Sequence, residues 1–339
     1  MINVGIVGIS GYSGMSILEL LLNHSQVRVT YISANNTIGK LDEIWPQFFG
    51  RTKLVCDKFN IQKAIDSCDV IFLAVPHTIS MEITPDLLKA GKKVVDLSGD
   101  YRLKTARDYK KWYGVAHKDS RRLGKAVYGL PELYREDIKK TKFVANPGCY
   151  PTAAILGLAP LAAIYAKGIN SIIIDAKSGV SGAGRKAKLA FNFCEVEGNF
   201  KAYKLLNHQH VPEMELYLSK LSETPISINF VPHLLPVHRG ILETIYVQLN
   251  EDISLNEVHK IYQRFYKIEP FVRILPLGIQ PELKNVTHTN YCDIGLVLDK
   301  NKRLLVITSV IDNLVKGAAG QAVQNMNLMC GFKEEEGVL

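Results

Sequence analysis

Hydrophobic and polar positions alternate in blocks that predict strand and helix in turn over the first half of the chain. Residues 1–7 are apolar enough for a buried strand, and they run straight into Gly8, Ile9, Ser10, Gly11, Tyr12, Ser13 and Gly14. Residues 15–23 then carry leucines at helical spacing, and residues 27–32 alternate β-branched positions as a second strand would. Apolar runs at 68–75 and 93–97 bracket a helical stretch at 80–90. Such alternation predicts a parallel sheet, whose ligands sit at the carboxyl ends of its strands. Two of those ends are Pro76-His77-Thr78 and Ser98-Gly99-Asp100-Tyr101-Arg102.

Beyond Pro147 the texture changes. Strand-like stretches at 171–175, 226–230, 241–249 and 303–311 follow one another with fewer helices between them, which predicts a second domain on a mixed or antiparallel sheet. Residues 313–329 are again helical, with small residues at Gly317, Ala318, Ala319 and Gly320 that suit a close approach to another backbone. The expected division is residues 1–147 plus 313–339, and 148–312.

Composition narrows the class. The chain has 339 residues, 47% of them hydrophobic, and 41 Lys and Arg against 33 Asp and Glu, a formal net charge of +8. It holds no run of five basic residues and no zinc-finger spacing, so the surplus points to anionic small molecules rather than nucleic acid. Cys56, Cys68, Cys149, Cys194, Cys292 and Cys330 form no C-x-x-C pair, and the first residues read as a strand rather than a signal peptide. A reducing cytoplasm is expected, and no apolar run approaches a membrane span.

Strand, glycine-rich turn and helix make the context of a dinucleotide fingerprint, here spaced G-x-x-G-x-x-G. At the end of the second strand an NAD site usually carries an acid for the ribose hydroxyl. This chain has Ser33-Ala34-Asn35-Asn36-Thr37 with Lys40 behind. Hydroxyl, amide and cation favour a 2′-phosphate, hence NADP.

Cys149, in Asn146-Pro147-Gly148-Cys149-Tyr150-Pro151-Thr152, lies between a strand and an apolar helix. The positive end of a helix favours thiolate, the form a nucleophile needs. Lys177-Ser178-Gly179-Val180-Ser181-Gly182-Ala183-Gly184-Arg185 reads as a glycine-rich loop that passes close to a flat ligand, with Arg185 holding an anion. In Asn207-His208-Gln209-His210-Val211-Pro212-Glu213 the two histidines project to one side ahead of a helix near Pro212, and no third metal ligand is evident. A histidine within reach of a thiol suits acid–base work instead.

The strings GISGYSG, FLAVPH, VDLSGDYRL, YGLPEL, NPGCYPT, SGVSGAGR, HQHVPE, PHLLPVHRGIL, EPFVRILP, NYCDI and DNLVKGAAGQAVQNMN stand in this order from Gly8 to about Asn327. In this the chain resembles the N-acetyl-γ-glutamyl-phosphate reductases. The resemblance implies an α/β Rossmann domain plus an α+β, glyceraldehyde-3-phosphate dehydrogenase-like domain for catalysis and dimerisation, with the last helix returning to the first domain. It implies reduction of an acyl phosphate to a semialdehyde with NADPH and release of phosphate, through a thioester, in L-arginine biosynthesis. The family cysteine falls on Cys149, and the histidine falls within His208-Gln209-His210, with His210 favoured. Arg102 is the candidate for the leaving phosphate and Asn146 for substrate orientation. Arg185 and Arg239 are weaker candidates for the substrate carboxylate, and Asn313, Gly317 and Ala318 for the nicotinamide. Pro76, Ser178, Gly179 and Gly182 join the glycine turn in the expected cofactor set.

Two departures stand out: the arginine usual near 33–36 is missing, and Thr78 replaces a glycine. A homo-oligomer, dimer or tetramer, is implied by the family alone. Two other readings stay open: a reductase of carrier-linked aminoadipyl or glutamyl phosphate in lysine biosynthesis, and a non-catalytic NADP-binding regulator.

Overall fold

A computed structural model describes residues 1–338, which divide into two compact units: Met1–Pro147 with residues 318–338, and Gly148–Gly317. Residues 313–317 therefore stay with the second unit, which runs five residues past the end expected at 312.

The first unit is built on an eight-stranded sheet in the order β3-β4-β2-β1-β5-β6-β8-β7. Its strands are β1 Ile2–Val7, β2 Val27–Ala34, β3 Gly39–Lys40, β4 Val55–Lys58, β5 Val70–Leu73, β6 Lys93–Asp96, β7 Val127–Tyr128 and β8 Phe143–Ala145. All neighbours pair in parallel except β3 with β4. β1 to β5 leaves the first crossover, so the sheet order reverses direction at β1, the kind of position where doubly wound sheets bind nucleotides. The returning helix Gly320–Cys330 is buried from Gly320 to Met329. Two of its asparagines bond inside the unit: the Asn325 amide donates to Gly129 O (2.8 Å) and to Asn146 Oδ1 (3.0 Å), and Asn327 Oδ1 lies 2.9 Å from His24 Nε2.

The second unit carries a seven-stranded sheet in the order β10-β11-β9-β12-β15-β14-β13. These strands are β9 Ile169–Gly179, β10 Lys201–Ala202, β11 Asn229–Leu235, β12 Ile241–Leu249, β13 Val272–Ile274, β14 Cys292–Asp299 and β15 Leu304–Ile311. The pairing is mixed, as the clustered strand signals predict. Two boundaries move. The strand expected at 226–230 sits at Asn229–Leu235, and β9 runs on through Ser178 and Gly179, which read from sequence as loop. Ladder bonds to β11 on one side and β12 on the other hold that Ser-Gly pair extended, overriding its turn preference. The tail differs as well: a π-turn over Val315–Ala319 precedes the helix.

The helix Cys149–Tyr165 packs against β12 and β15 and is buried from Tyr150 to Ala162. By length and composition residues 149–168 could cross a membrane, yet 72% of that window is buried in protein. A Cβ on Gly157 would come within 2.8 Å of Ile245 Cδ1, so glycine lets the helix lie directly on the sheet.

Candidate active site

In the first unit the glycine turn is shaped by three close approaches. Gly8 has φ +101°, and a Cβ there would meet Ala74 O at 2.2 Å; one on Gly14 would meet Gly8 O at 2.3 Å. The Gly11 N–H donates to Gly8 O (3.1 Å), and the N–H groups of Gly8 and Ile9 donate to Ser33 O (2.7 and 3.1 Å). Ser10, Tyr12 and Ser13 line the same turn, half-buried, and the helix Tyr12–Leu21 starts there with Gly11 as N-cap. A helix start at a glycine turn is a ready site for a pyrophosphate. Only a backbone without side chains fits this cradle, so the residues suit a dinucleotide.

Ser33 is wholly buried: its carbonyl braces the turn, and its hydroxyl has no partner among the described residues. Asn35, Asn36 and Lys40 are the exposed polar groups at this strand end, and Lys40 Nζ lies 3.8 Å from Glu43.

At the ends of β5 and β6 the chain is tied into one network. Pro76 is exposed, while His77 Nδ1 accepts from the Gly99 N–H (2.8 Å). Asp100 accepts from the backbone N–H groups of Thr78 (2.8 Å) and Met81 (3.0 Å) and from the Tyr109 hydroxyl (2.7 Å). Thr78, in place of the family's glycine, has φ +79°, in the left-handed region. Asp96 accepts from the N–H and hydroxyl of Ser98 (2.9 and 3.0 Å); burial, then the Asp100 charge, push its carboxyl up to about 7. Arg102 and Asn146 are brought together, but by backbone. Arg102 Nε donates to Asn146 O (2.8 Å) and Nη2 to Leu97 O (2.7 Å), while the Asn146 amide donates to Ala318 O (3.2 Å). The guanidinium fork expected to grip phosphate is thus largely spent on carbonyls, leaving a buried positive charge.

In the second unit Cys149 is the first residue of a 17-residue helix, after Gly148 as N-cap. Gly148 is pinned at both ends: its carbonyl accepts from the Thr152 N–H and hydroxyl (2.9 and 3.0 Å), and its N–H donates to Glu213 Oε1 (2.9 Å). Gly317 passes so close that a Cβ there would lie 2.8 Å from Cys149 Cβ. His208 and His210 face each other with ring centroids 4.7 Å apart, and both stand edge-on to Tyr150. His208 Nδ1 accepts from the His210 N–H (3.1 Å), and burial, aided by the Lys204 charge, pushes the His208 imidazole down to about 3. The hydroxyls of Tyr150 and Tyr203 are 2.9 Å apart, and burial holds both phenols protonated, Tyr203 at about 12.

The strand end of β9 forms a second cluster in this unit. Ser178 donates to Gly179 O (3.0 Å), and a Cβ on Gly182 would lie 3.1 Å from Ser178 Oγ. Asn313 Oδ1 accepts from the Gly240 N–H (2.7 Å) and its amide donates to Ser181 Oγ (3.0 Å). The Asn313 side chain thus ties the loops at Ser181 and Gly240 together. Arg239 is buried with Nη1 3.6 Å from Asp312 Oδ2, whereas Arg185 is exposed. Three residues escaped the sequence reading: Glu213, Tyr203 and Asp100. Glu213 had a signal, since it stands three residues after His210 in the histidine motif.

The comparisons agree with this geometry. The family described as semialdehyde dehydrogenase, NAD binding domain, matches residues 3–141, and semialdehyde dehydrogenase, dimerisation domain, matches residues 149–313. Among solved structures, aspartate semialdehyde dehydrogenase II of Vibrio cholerae superposes with a TM-score of 0.72 at 18% identity, over 98% of each chain. Aspartate semialdehyde dehydrogenase of Candida albicans, solved with NADP, gives 0.74 at 15%, covering 97% of this chain and 98% of that one. A nucleotide unit joined to a unit headed by a helix-borne cysteine defines a semialdehyde dehydrogenase, an oxidoreductase that binds a nicotinamide nucleotide. Two full-length relatives are more specific. The proteins named N-acetyl-gamma-glutamyl-phosphate reductase from Desulfotalea psychrophila and Acetivibrio thermocellus are 52% and 48% identical, each over 100% of this chain and 98% of theirs. The chain belongs to the N-acetyl-γ-glutamyl-phosphate reductase family.

Proposed function

We propose that this protein reduces N-acetyl-L-glutamyl 5-phosphate to N-acetyl-L-glutamate 5-semialdehyde, with release of phosphate, for L-arginine biosynthesis in the cytoplasm. The observation that carries the reading is Cys149 at the head of a long buried helix, with two histidines on the segment that also pins its N-cap.

The sulfur attacks the acyl carbon, the bond to the phosphate oxygen breaks, and a thioester remains on Cys149. The helix N–H groups and dipole favour negative charge both on the sulfur and on the developing oxyanion. Bound NADPH supplies the hydride that reduces the thioester carbon. His210 is the acid–base group: it gives a proton to the oxyanion formed when the thioester carbon is reduced, and takes that proton back as the hemithioacetal collapses to the aldehyde and the sulfur leaves as thiolate. His208, neutral through the physiological range, orients its neighbour by accepting the His210 N–H. Arg102 contributes charge toward phosphate, and Arg239 is better placed than Arg185 for the substrate carboxylate because it is held by Asp312. Asn35, Asn36 and Lys40 support NADP over NAD.

The test is nucleotide reduction with N-acetylglutamate semialdehyde and phosphate, run beside aspartate semialdehyde. The acetylated substrate should be strongly preferred. Cys149→Ser should lose essentially all phosphate-dependent reduction while still binding nucleotide; near-wild-type activity would overturn the assignment.

A further inference from the structure

The chain's positive surplus is not spread evenly. Residues 103–125 hold eight Lys and Arg against two Asp, a net of +6, while the whole chain has 41 against 33, a net of +8. The other 316 residues are therefore close to balance, at +2. Arg107, Lys110, Lys111, Lys118, Arg121 and Lys125 are all exposed. Lys118 pairs with Glu82 and Arg122 with Asp119 (2.8 Å), and Asp108 is occupied at the start of its own helix with Thr105. Among the described residues no carboxylate pairs with Arg107, Lys110, Lys111, Arg121 or Lys125.

A charge run is usually a solvated face. This one is set apart by where it is anchored. Tyr113, the last residue of the helix Ala106–Tyr113, stands edge-on to His77 with centroids 5.0 Å apart, and a Cβ on Gly99 would overlap its ring. The Tyr109 hydroxyl donates to Asp100 Oδ1 (2.7 Å), His117 Nε2 lies 2.8 Å from Asp100 O, and the Tyr101 hydroxyl donates to Asp119 Oδ2 (2.8 Å). The basic segment is thereby fastened to the loop from Ser98 to Arg102, which follows the carboxyl end of β6. Arg102 itself is buried, with two nitrogens engaged by carbonyls. The exposed cations around it act at longer range. A field of one sign raises the association rate of an opposite charge by about 10–10³-fold, and salt screens it over about 8–10 Å.

We propose that residues 103–125 form a basic collar that steers the phosphate-bearing substrate toward the Ser98–Arg102 loop and favours it over the dephosphorylated product. A phosphoryl group brings a charge of about −1.5 to −2 near pH 7, whereas the aldehyde keeps only its carboxylate. One field thus speeds the arrival of the first and does little to hold the second. The identity of the anion rests on the proposed function; the anion-gathering face does not.

The experiment combines Lys110→Gln, Lys111→Gln and Arg121→Gln in the full chain, with circular dichroism as the check of folding. The kcat/KM for inorganic phosphate, with N-acetylglutamate semialdehyde and NADP saturating, is measured at about 30 mM and about 300 mM ionic strength. At the lower value the triple variant should lose roughly three- to tenfold in kcat/KM for phosphate, with kcat and nucleotide binding unchanged, and the two proteins should converge at the higher value. Phosphate binding followed by phosphorus NMR line broadening should show the same salt-dependent loss. Equal salt dependence in the two proteins, or a deficit that persists at high salt, overturns the steering. So does retention of the wild type but not the variant on immobilised heparin with phosphate kinetics unchanged, which would make the face a docking site for a polymeric anion. If the wild type does not reduce NADP with the acetylated substrate yet binds phosphate more tightly than the variant at low salt, the proposed function fails and the anion-gathering face stands.

Discussion

His208 and His210, two residues apart, are both buried beside Tyr150. His208 is buried among Tyr150, Tyr203 and Phe230, and an imidazolium there would lose its hydration without gaining a carboxylate. It stays neutral above about pH 3, so the acid limb of a pH–rate profile cannot come from it. The expected outcome is that His210→Asn lowers kcat by roughly 10²–10⁴-fold, the usual worth of positioned acid–base help, and removes that limb. His208→Asn should cost less and keep the limb. Steady-state profiles of both variants check this, and the reverse order would move the acid–base role to His208. The sequence alone left this choice open, since both residues carry the same spacing and motif. Both are buried; the aromatic rings that enclose His208 come from three other segments. Arg102 also stands where a ligand contact was expected, and two of its nitrogens donate to the protein's own carbonyls.

At the scale of elements, the buried helix Cys149–Tyr165 contains Pro160, which cannot donate to Leu156 O. The Tyr266 hydroxyl donates to that carbonyl (2.6 Å), and the Tyr262 hydroxyl to its neighbour Gly157 O (2.7 Å), so the proline costs no unpaired buried group. The turn between β5 and the helix Ser80–Lys89 is less well matched. Thr78 is β-branched at a positive φ, a conformation costing about 1–3 kcal/mol, and Asp100 holds it there through the Thr78 N–H. Thr78→Gly should relieve part of that strain and raise Tm by a few degrees in a thermal melt. An unchanged or lowered Tm would mean that the side chain's packing outweighs its strain. The departure from the family glycine was visible in the sequence. That it falls on a left-handed residue was not, because φ at one turn is set by how Asp100 closes it from the next strand end.

For the whole molecule, stability should carry the signature of Asp96. Its folded value of about 7 lies above the ordinary 3.8, so the fold binds the proton more tightly than the open chain does. The stabilisation this carboxyl contributes is complete below about pH 4 and is lost as pH rises through about 7. Relative to Asp96→Asn, the wild type should therefore lose up to a few kcal/mol of unfolding free energy between about pH 5 and about pH 8, measured by urea unfolding. A parallel pH dependence in both proteins would exclude the titration. Much of the architecture that carries this residue was legible from local pattern alone. Strand, Gly8-x-x-Gly11-x-x-Gly14 and helix, the apolar helix headed by Cys149, and the HQH motif each lie within a few consecutive residues, and the period of apolar positions along them depends on nothing farther away. What only the tertiary structure decided joins residues far apart in the chain: Gly317 against Cys149, Glu213 on the Gly148 N–H, and Asp100 on the Thr78 N–H. Periodicity says which face of an element is buried. It does not say which polar groups will find partners there, because that is settled when distant segments compete for the same buried donors and acceptors.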